Sequence, residues 1–334
     1  MSRPKGIFIL NSTTYNENYR EPLRSAIGEL VELVAPHHTA EEIQTHLDVL
    51  REVEIILSGW GAPIMDEAFL AHAPHLRAVF YGSGSIRGFV TDALWERGII
   101  VTSAQSANAM PVAEYTLAAI LFSLKHGWQL ARQVRKERLF PSRANIPGTY
   151  GATIGIISLG MVGRLVREYL RPFDLQVLAY DPYITPSEAA ALDVSLCSLE
   201  ALFRESQVVT LHTPLLPETT GMIRGVHLAS MPEGSTFINT SRGGVVQQEE
   251  LIAVLERRTD LYAVLDVTRP EPPPPDSPLY VLPNVTLTPH IAGALGSERR
   301  RLGEMMLAEL QRFIAGGSLR HTITREQVLR MATP

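Results

Sequence analysis

Only one cysteine, Cys197, occurs in the 334 residues, so no internal disulfide can form and a reducing compartment, the cytoplasm, is expected. Basic residues do not predominate: 30 Lys and Arg against 35 Asp and Glu leave a formal charge of -5 and no basic stripe for nucleic acid. No run of about 18 apolar residues is long enough to span a membrane. The short run Ile7-Phe8-Ile9-Leu10 gives way to Asn11-Ser12-Thr13 where a signal-peptide core would continue. Neither nucleic acid nor membrane is expected as a partner, and no metal site is expected. What remains, 45% hydrophobic and 19% charged, is the composition of a globular chain long enough for two domains.

The most informative stretch runs from Ala152 to Asp181. Thr153 to Ile157 is a β-branched run suited to a buried parallel strand, and Gly160 and Gly163 follow at a sharp turn. Val162, Leu165, Val166, Tyr169 and Leu170 then recur at helical spacing until Arg171-Pro172, and Val177 to Tyr180 forms the next strand. This is a βαβ unit. Its helix N-terminus offers unpaired N–H groups to a pyrophosphate, and Asp181, about 20 residues beyond the turn, can accept from a ribose hydroxyl. The fingerprint G-x-G-x-x-G is altered to Ser158-Leu159-Gly160-Met161-Val162-Gly163, a serine taking the first glycine position.

Before this unit, strands over Gly6 to Leu10, Val31 to Ala35, Glu54 to Leu57, Arg77 to Tyr81 and Ile99 to Thr102 alternate with helical patterns such as Thr39 to Arg51. The loop Gly82-Ser83-Gly84-Ser85 follows a strand end and can present backbone N–H groups to an anion; a flexible turn is the plainer explanation. Asn108 to Leu124 reads as a helix apolar nearly all round. It is expected to pack on its own domain and against another subunit, with burial between the two domains as the competing reading. Phe140 to Gly151 reads as a connector. From Thr153 onward six strands complete a doubly wound dinucleotide domain, after which Ser297 to Ala315 is helical and the remaining tail docks back on the first domain. The expected division is residues 1–104 plus 297–334 against 105–296.

Three segments follow strand ends and carry ionisable groups: Asn239 to Gly244 with Arg242, Asp266 to Pro272 with Glu271, and Thr288 to Gly293 with His290. Arginine forms a planar fork for a carboxylate and a carbonyl oxygen. An imidazole titrates near neutrality, and a neighbouring carboxylate favours its protonated form. Those are the needs of a 2-oxo acid reductase. Singly, Arg242 suits a surface ion pair, Glu271 a proline-rich surface loop and His290 a strand end; their shared placement favours chemistry. His212, in His212-Thr213-Pro214, is read as lining the cofactor crevice, and Asp266 as a possible acceptor for the nicotinamide amide.

In this order of motifs the chain resembles the D-isomer-specific 2-hydroxyacid dehydrogenases: the glycine loop, Asp181, His212-Thr213-Pro214, Asn239 to Gly243, Asp266 to Pro272 and Pro289 to Gly293. Asn108 to Glu114 is similar to the family's segment entering the cofactor domain. The resemblance implies two doubly wound α/β domains, a Rossmann NAD-binding domain inserted in a flavodoxin-like substrate domain, and a homodimer with much of its contact from Asn108 to Leu139. It implies that NADH gives hydride to C2 while His290 protonates the carbonyl oxygen, Arg242 holds the carboxylate and Glu271 keeps His290 protonated. Cofactor contacts would fall on Ser158, Gly160, Met161, Val162, Gly163, Asp181, His212, Thr213, Pro214, Thr240 and Asp266, and substrate contacts on Ser83, Gly84, Arg242 and His290. Ser85-Ile86-Arg87-Gly88 lacks the family's Asp-Asn pair, and the family's tryptophan before the connector is replaced near Leu139-Phe140, so unusual substrate recognition is expected. Formate is disfavoured by Glu271, and phosphoglycerate by the lack of arginines in Ser58 to Ala62 and of a C-terminal regulatory domain. The alternative of another class is a non-enzymatic NAD-sensing protein of the same fold, as corepressors of the superfamily are.

Overall fold

A computed structural model of the chain describes residues 3–144 and 146–332. Asn145 of the connector and Thr333 and Pro334 of the tail lie outside the described residues. Cα proximity separates two units, Met1–Asn108 with Ala294–Pro334, and Ala109–Gly293.

The first unit holds β1 (Lys5–Ile9), β2 (Glu32–Leu33), β3 (Ile55–Ser58), β4 (Ala78–Tyr81) and β5 (Ile100–Ser103), all parallel in the order β2-β1-β3-β4-β5. Helices cover both faces, which is why β3 and β4 are buried at every residue and read as unbroken apolar runs. The helix Arg299–Ile314 packs Leu302, Met306 and Leu310 against Phe8, Ile55 and Phe80 on one face. Each such fully buried side chain contributes about 1.5–3 kcal/mol of hydrophobic stabilisation. The tail places Ile323 and Val328 among Ile7, Ile9 and Val101 on the other face. The long helix read over Thr39 to Arg51 is broken: Ala40–Gln44 is helical behind the Thr39–Glu42 capping box, and Leu47–Glu52 is a 3₁₀ turn. The reason is local. Thr45 Oγ1 and His46 Nδ1 both bond the Glu42 carbonyl, at 2.9 Å each, in competition with the helical ladder.

The second unit holds β6 (Ala152–Ile157), β7 (Leu175–Tyr180), β8 (Ser195–Leu196), β9 (Val208–Leu211), β10 (Thr236–Asn239), β11 (Tyr262–Leu265) and β12 (Val285–Leu287), parallel in the order β12-β11-β10-β9-β6-β7-β8. The six expected strands are present. β8 is a seventh, two residues long and exposed, too short to leave a period in the sequence. The strand order reverses between β6 and β9, the place where open α/β sheets bind ligands. Register then does the assembling. Ile157 pairs with Tyr180 and Leu211, Leu211 with Asn239, Asn239 with Leu265, and Leu265 with Leu287. The residues that follow, Ser158, Asp181, His212, Thr240, Asp266 and Thr288, therefore leave the sheet along one carboxyl edge.

The helix Gln105–Ser123 starts three residues before the sequence reading, with the Gln105 N–H donating to Ser103 Oγ at 3.2 Å, and it passes through Pro111. Within the second unit it packs Ala113, Ala119 and Ile120 on Ile154, Ile156 and Val177. The next helix, Gly127–Glu137, buries none of its residues. Among the described residues no single helix is long and apolar enough to cross a membrane; these two, bent by 58°, pass that test together by length and composition only.

Candidate active site

The loop after β10 and the loop after β11 are pressed together by a glycine. A Cβ at Gly243 would lie 2.1 Å from the Thr268 carbonyl carbon, so only glycine lets the two backbones meet. Asn239 shapes the first loop, its Oδ1 accepting from the Ser241 N–H at 3.0 Å and its Nδ2 donating to the Arg242 carbonyl at 3.2 Å. Gln248 grips the second, bonding both the N–H and the carbonyl of Arg269. Arg242 leaves the first loop half-buried, with Nη1 donating to the Ser241 carbonyl at 2.8 Å. Burial pushes its guanidinium below the usual range, and the charge of Glu271 acts in the opposite direction.

Glu271 meets His290, with Oε1 and Nδ1 2.6 Å apart. A carboxylate oxygen accepts, so Nδ1 carries the proton in this bond and Nε2 is the nitrogen left to exchange one. The two side chains are 41% and 45% exposed, open enough for a reactant to approach. His290 itself has φ of 54°, in the left-handed region that favours glycine. A cleft of about 590 Å³ is lined by the pair, with Asp266 and Thr288 on its polar side and Pro272, Leu279, Val285 and Leu287 on its apolar side.

Asp266 is buried, and its carboxylate accepts from Thr288 Oγ1 at 2.7 Å, the Ile291 N–H at 2.8 Å and the Ala292 N–H at 2.9 Å. Its carbonyl accepts from the His290 N–H at 3.0 Å. The acceptor assigned from sequence to a nicotinamide amide thus already organises the His290 loop. Sequence reasoning missed three contributors. Thr288 and Gln248 carried no signal beyond lying beside motif residues, and Tyr115, whose hydroxyl lies 3.1 Å from Thr288 Oγ1, is one phenol on an apolar helix.

At the switch point, the helix Met161–Leu170 begins at Gly160. A Cβ on Gly160 would meet nothing within 4 Å, so the space before the helix N-terminus is open, whereas a Cβ on Gly163 would lie 2.1 Å from the Ser158 carbonyl oxygen. One glycine leaves room for a ligand and the other lets helix and strand touch. Ser158 has φ of 72°, and its Oγ lies 2.8 Å from Thr213 Oγ1. Asp181 accepts from the Leu159 N–H at 2.8 Å and the Tyr183 N–H at 2.9 Å, each oxygen keeping lone-pair capacity for a ribose hydroxyl. These features fit a dinucleotide: an open helix N-terminus for pyrophosphate and a carboxylate at the next strand end. Thr213 also accepts through its carbonyl from Ser241 Oγ, tying this loop to that of Arg242, and Thr240 lies buried with its hydroxyl 3.2 Å from Thr116. His212 Nε2 lies 3.1 Å from Thr210 Oγ1, while Nδ1 is buried without a partner among the described residues; burial lowers this imidazole to about 3.

In the first unit, Ser83 is buried with Oγ accepting from the Trp60 N–H at 3.1 Å and donating to the Gly82 carbonyl at 2.8 Å. Ser103 Oγ donates to the Gly84 carbonyl at 2.6 Å and lies 3.1 Å from the Ser83 carbonyl, fixing the loop after β4.

Residues 117–292 match the family model of the D-isomer specific 2-hydroxyacid dehydrogenase NAD binding domain. The chain is 32% identical over 258 residues to a D-3-phosphoglycerate dehydrogenase of Mycobacterium bovis, covering 77% of this chain and 48% of that one. It is 32% identical over 293 residues to a glyoxylate reductase of Korarchaeum cryptofilum, covering 86% and 87%. A phosphoglycerate oxidoreductase structure from Rhizobium etli shares the fold, with a TM-score of 0.82 at 24% identity over 98% of this chain and 100% of that one. The chain spans about half the length of the phosphoglycerate dehydrogenases it matches. It belongs to the D-isomer-specific 2-hydroxyacid dehydrogenase family, and the segment 117–292 is that family's NAD-binding domain.

Proposed function

We propose that this chain is an NAD-dependent oxidoreductase that interconverts a small 2-oxo acid and a D-2-hydroxy acid. The observation that carries the reading is the Glu271–His290 pair at 2.6 Å, on the same carboxyl sheet edge as Arg242 and the glycine loop. The loop at Gly160 and Asp181 would hold NADH, which would supply the hydride when bound. His290 gives a proton through Nε2 to the forming alkoxide and takes it back in the reverse direction. Glu271 holds the imidazole by Nδ1, which leaves Nε2 for the proton exchange. Arg242 offers its fork to the carboxylate and carbonyl, its partial desolvation strengthening that contact. The loop at Ser83–Gly84 is assigned to the substrate carboxylate through the Gly84 N–H, since the Ser83 N–H donates to the Tyr81 carbonyl at 2.8 Å, and the two units to a substrate domain and an NAD-binding domain.

The same proposal includes a cytoplasmic homodimer through residues 108–139, supported by the unburied helix Gly127–Glu137 and the exposed Phe122 and Leu139. The decisive experiment is a panel of 2-oxo acids assayed by NADH absorbance, with Arg242→Lys alongside. At least one acid should be reduced, and Arg242→Lys should raise its KM and slow turnover while NADH binding by fluorescence stays unchanged. NADH binding without reduction of any acid would reject the enzyme in favour of an NAD-sensing protein.

A further inference from the structure

Two consecutive side chains of the helix Gln105–Ser123 reach the site loops of the second unit. Tyr115 Oη lies 3.1 Å from Thr288 Oγ1, and Thr116 Oγ1 lies 3.2 Å from Thr240 Oγ1. The first contact has a defined direction. Thr288 has one hydroxyl proton and gives it to Asp266 Oδ1 at 2.7 Å, so Tyr115 must be the donor to Thr288. Burial pushes the Tyr115 phenol up; the Thr288 contact acts the other way and the Asp266 charge adds to the rise, and the net shift is upward, so the phenol keeps its proton. Asp266 in turn receives the N–H groups of His290 at its carbonyl, and of Ile291 and Ala292 at its carboxylate. These bonds surround a histidine at φ 54°, a conformation that persists in a non-glycine residue only where its surroundings over-determine it.

We propose that Tyr115, acting through Thr288 and Asp266, is a positioning residue for His290. This rests on reading His290 as the proton-exchanging group. Tyr115 touches neither reactant. It donates to Thr288 and so commits the Thr288 proton to Asp266, which fixes the carboxylate that accepts the Ile291 and Ala292 N–H groups. A displacement of the imidazole by a fraction of an ångström slows proton transfer without changing how the cofactor binds.

The test uses the full chain with NADH and the best 2-oxo acid of the panel. Tyr115→Phe removes one hydroxyl and no packing volume. It should lower kcat about tenfold, leave KM for the acid and NADH affinity within about twofold, and raise the primary isotope effect with 4-deuterated NADH, since chemistry becomes slower than the steps around it. Thr288→Val should lower kcat further, and Thr288→Ser, which keeps the hydroxyl, should restore it to within about threefold of the parent. An unchanged kcat in both Tyr115→Phe and Thr288→Val would overturn the inference. So would a loss of kcat matched by an equal loss of NADH affinity, which would place the hydroxyl chain at the cofactor. His290→Ala is measured in the same series: turnover surviving that change would overturn the parent reading, and the inference with it, a result distinct from failure of the Tyr115 and Thr288 variants alone.

Discussion

Two turns at the carboxyl edge of the second unit hold a non-glycine residue in the left-handed region, and they do it differently. Ser158, at φ 72°, is held by its N–H to the Tyr180 carbonyl at 2.8 Å and by one hydroxyl contact with Thr213. His290, at φ 54°, sits among bonds to Asp266 from residues 288, 290, 291 and 292, with Glu271 on its ring. A left-handed L residue costs about 1–2 kcal/mol, and at Ser158 a glycine would remove that cost. At residue 290 no glycine could carry an imidazole. The difference teaches that strain is clamped from several sides at the residue we propose as the proton-exchanging group, and is lightly held at Ser158, where a glycine would serve.

The largest effect expected from breaking this contrast is at His290. His290→Ala should lower turnover by about a hundredfold to ten-thousandfold, the range of a lost general acid, with NADH binding by fluorescence unchanged. Equal turnover would remove the reason for the clamp.

The first turn is attacked from below by Gly163→Ala, whose methyl would fall 2.1 Å from the Ser158 carbonyl oxygen. Urea unfolding should show a loss of about 3 kcal/mol and a titration should show weakened NADH binding. Unaltered stability would mean that the helix shifts freely against the turn.

Acid probes the support behind Ser158. His212 adjoins Thr213, and burial lowers it to about 3, well below its unfolded value near 6.5. Between those values the unfolded chain binds one more proton than the folded one. Stability from this residue is therefore complete above pH 6.5 and falls by about 1.4 kcal/mol per pH unit below it. The pH slope of unfolding free energy between 5 and 6.5 should flatten by that amount in His212→Asn. An identical slope would show that the ring is not desolvated.

The smallest effect compares alanine with glycine at both turns. Ser158→Gly should be more stable than Ser158→Ala by about 1 kcal/mol, and His290→Gly more stable than His290→Ala by the same amount, because only the left-handed penalty separates each pair. A difference at residue 158 but none at 290 in thermal unfolding would mean that the Asp266 bonds let an alanine turn relax.

Much of this was legible in the chain. β1, β3 to β6 and β9 to β11 are parallel strands buried over most or all of their length, so their apolar runs stand out between turns. Arg242, Glu271 and His290 were visible because each follows a strand end, and parallel register converts that position into a shared edge. β8 was not visible: Ser195–Leu196 is two exposed residues with the polar Asp193 and Ser198 close on either side, whereas the equally short β2 lies within the mostly apolar run Val31 to Ala35; neither was the break at Thr45–His46, where side chains compete with the helical ladder. Hydrophobic periodicity and the glycine at each close approach, as at Gly163 and Gly243, thus determined the fold and the set of ionisable groups at the edge. Only the tertiary structure decided how those groups are used: that Asp266 faces three protein donors, that Ser158 and His290 turn left-handed, and that Tyr115, over 170 residues before Thr288, completes the support of the histidine. Backbone periodicity is written in neighbouring residues, whereas a hydrogen-bond direction depends on which distant donor the fold brings to the acceptor.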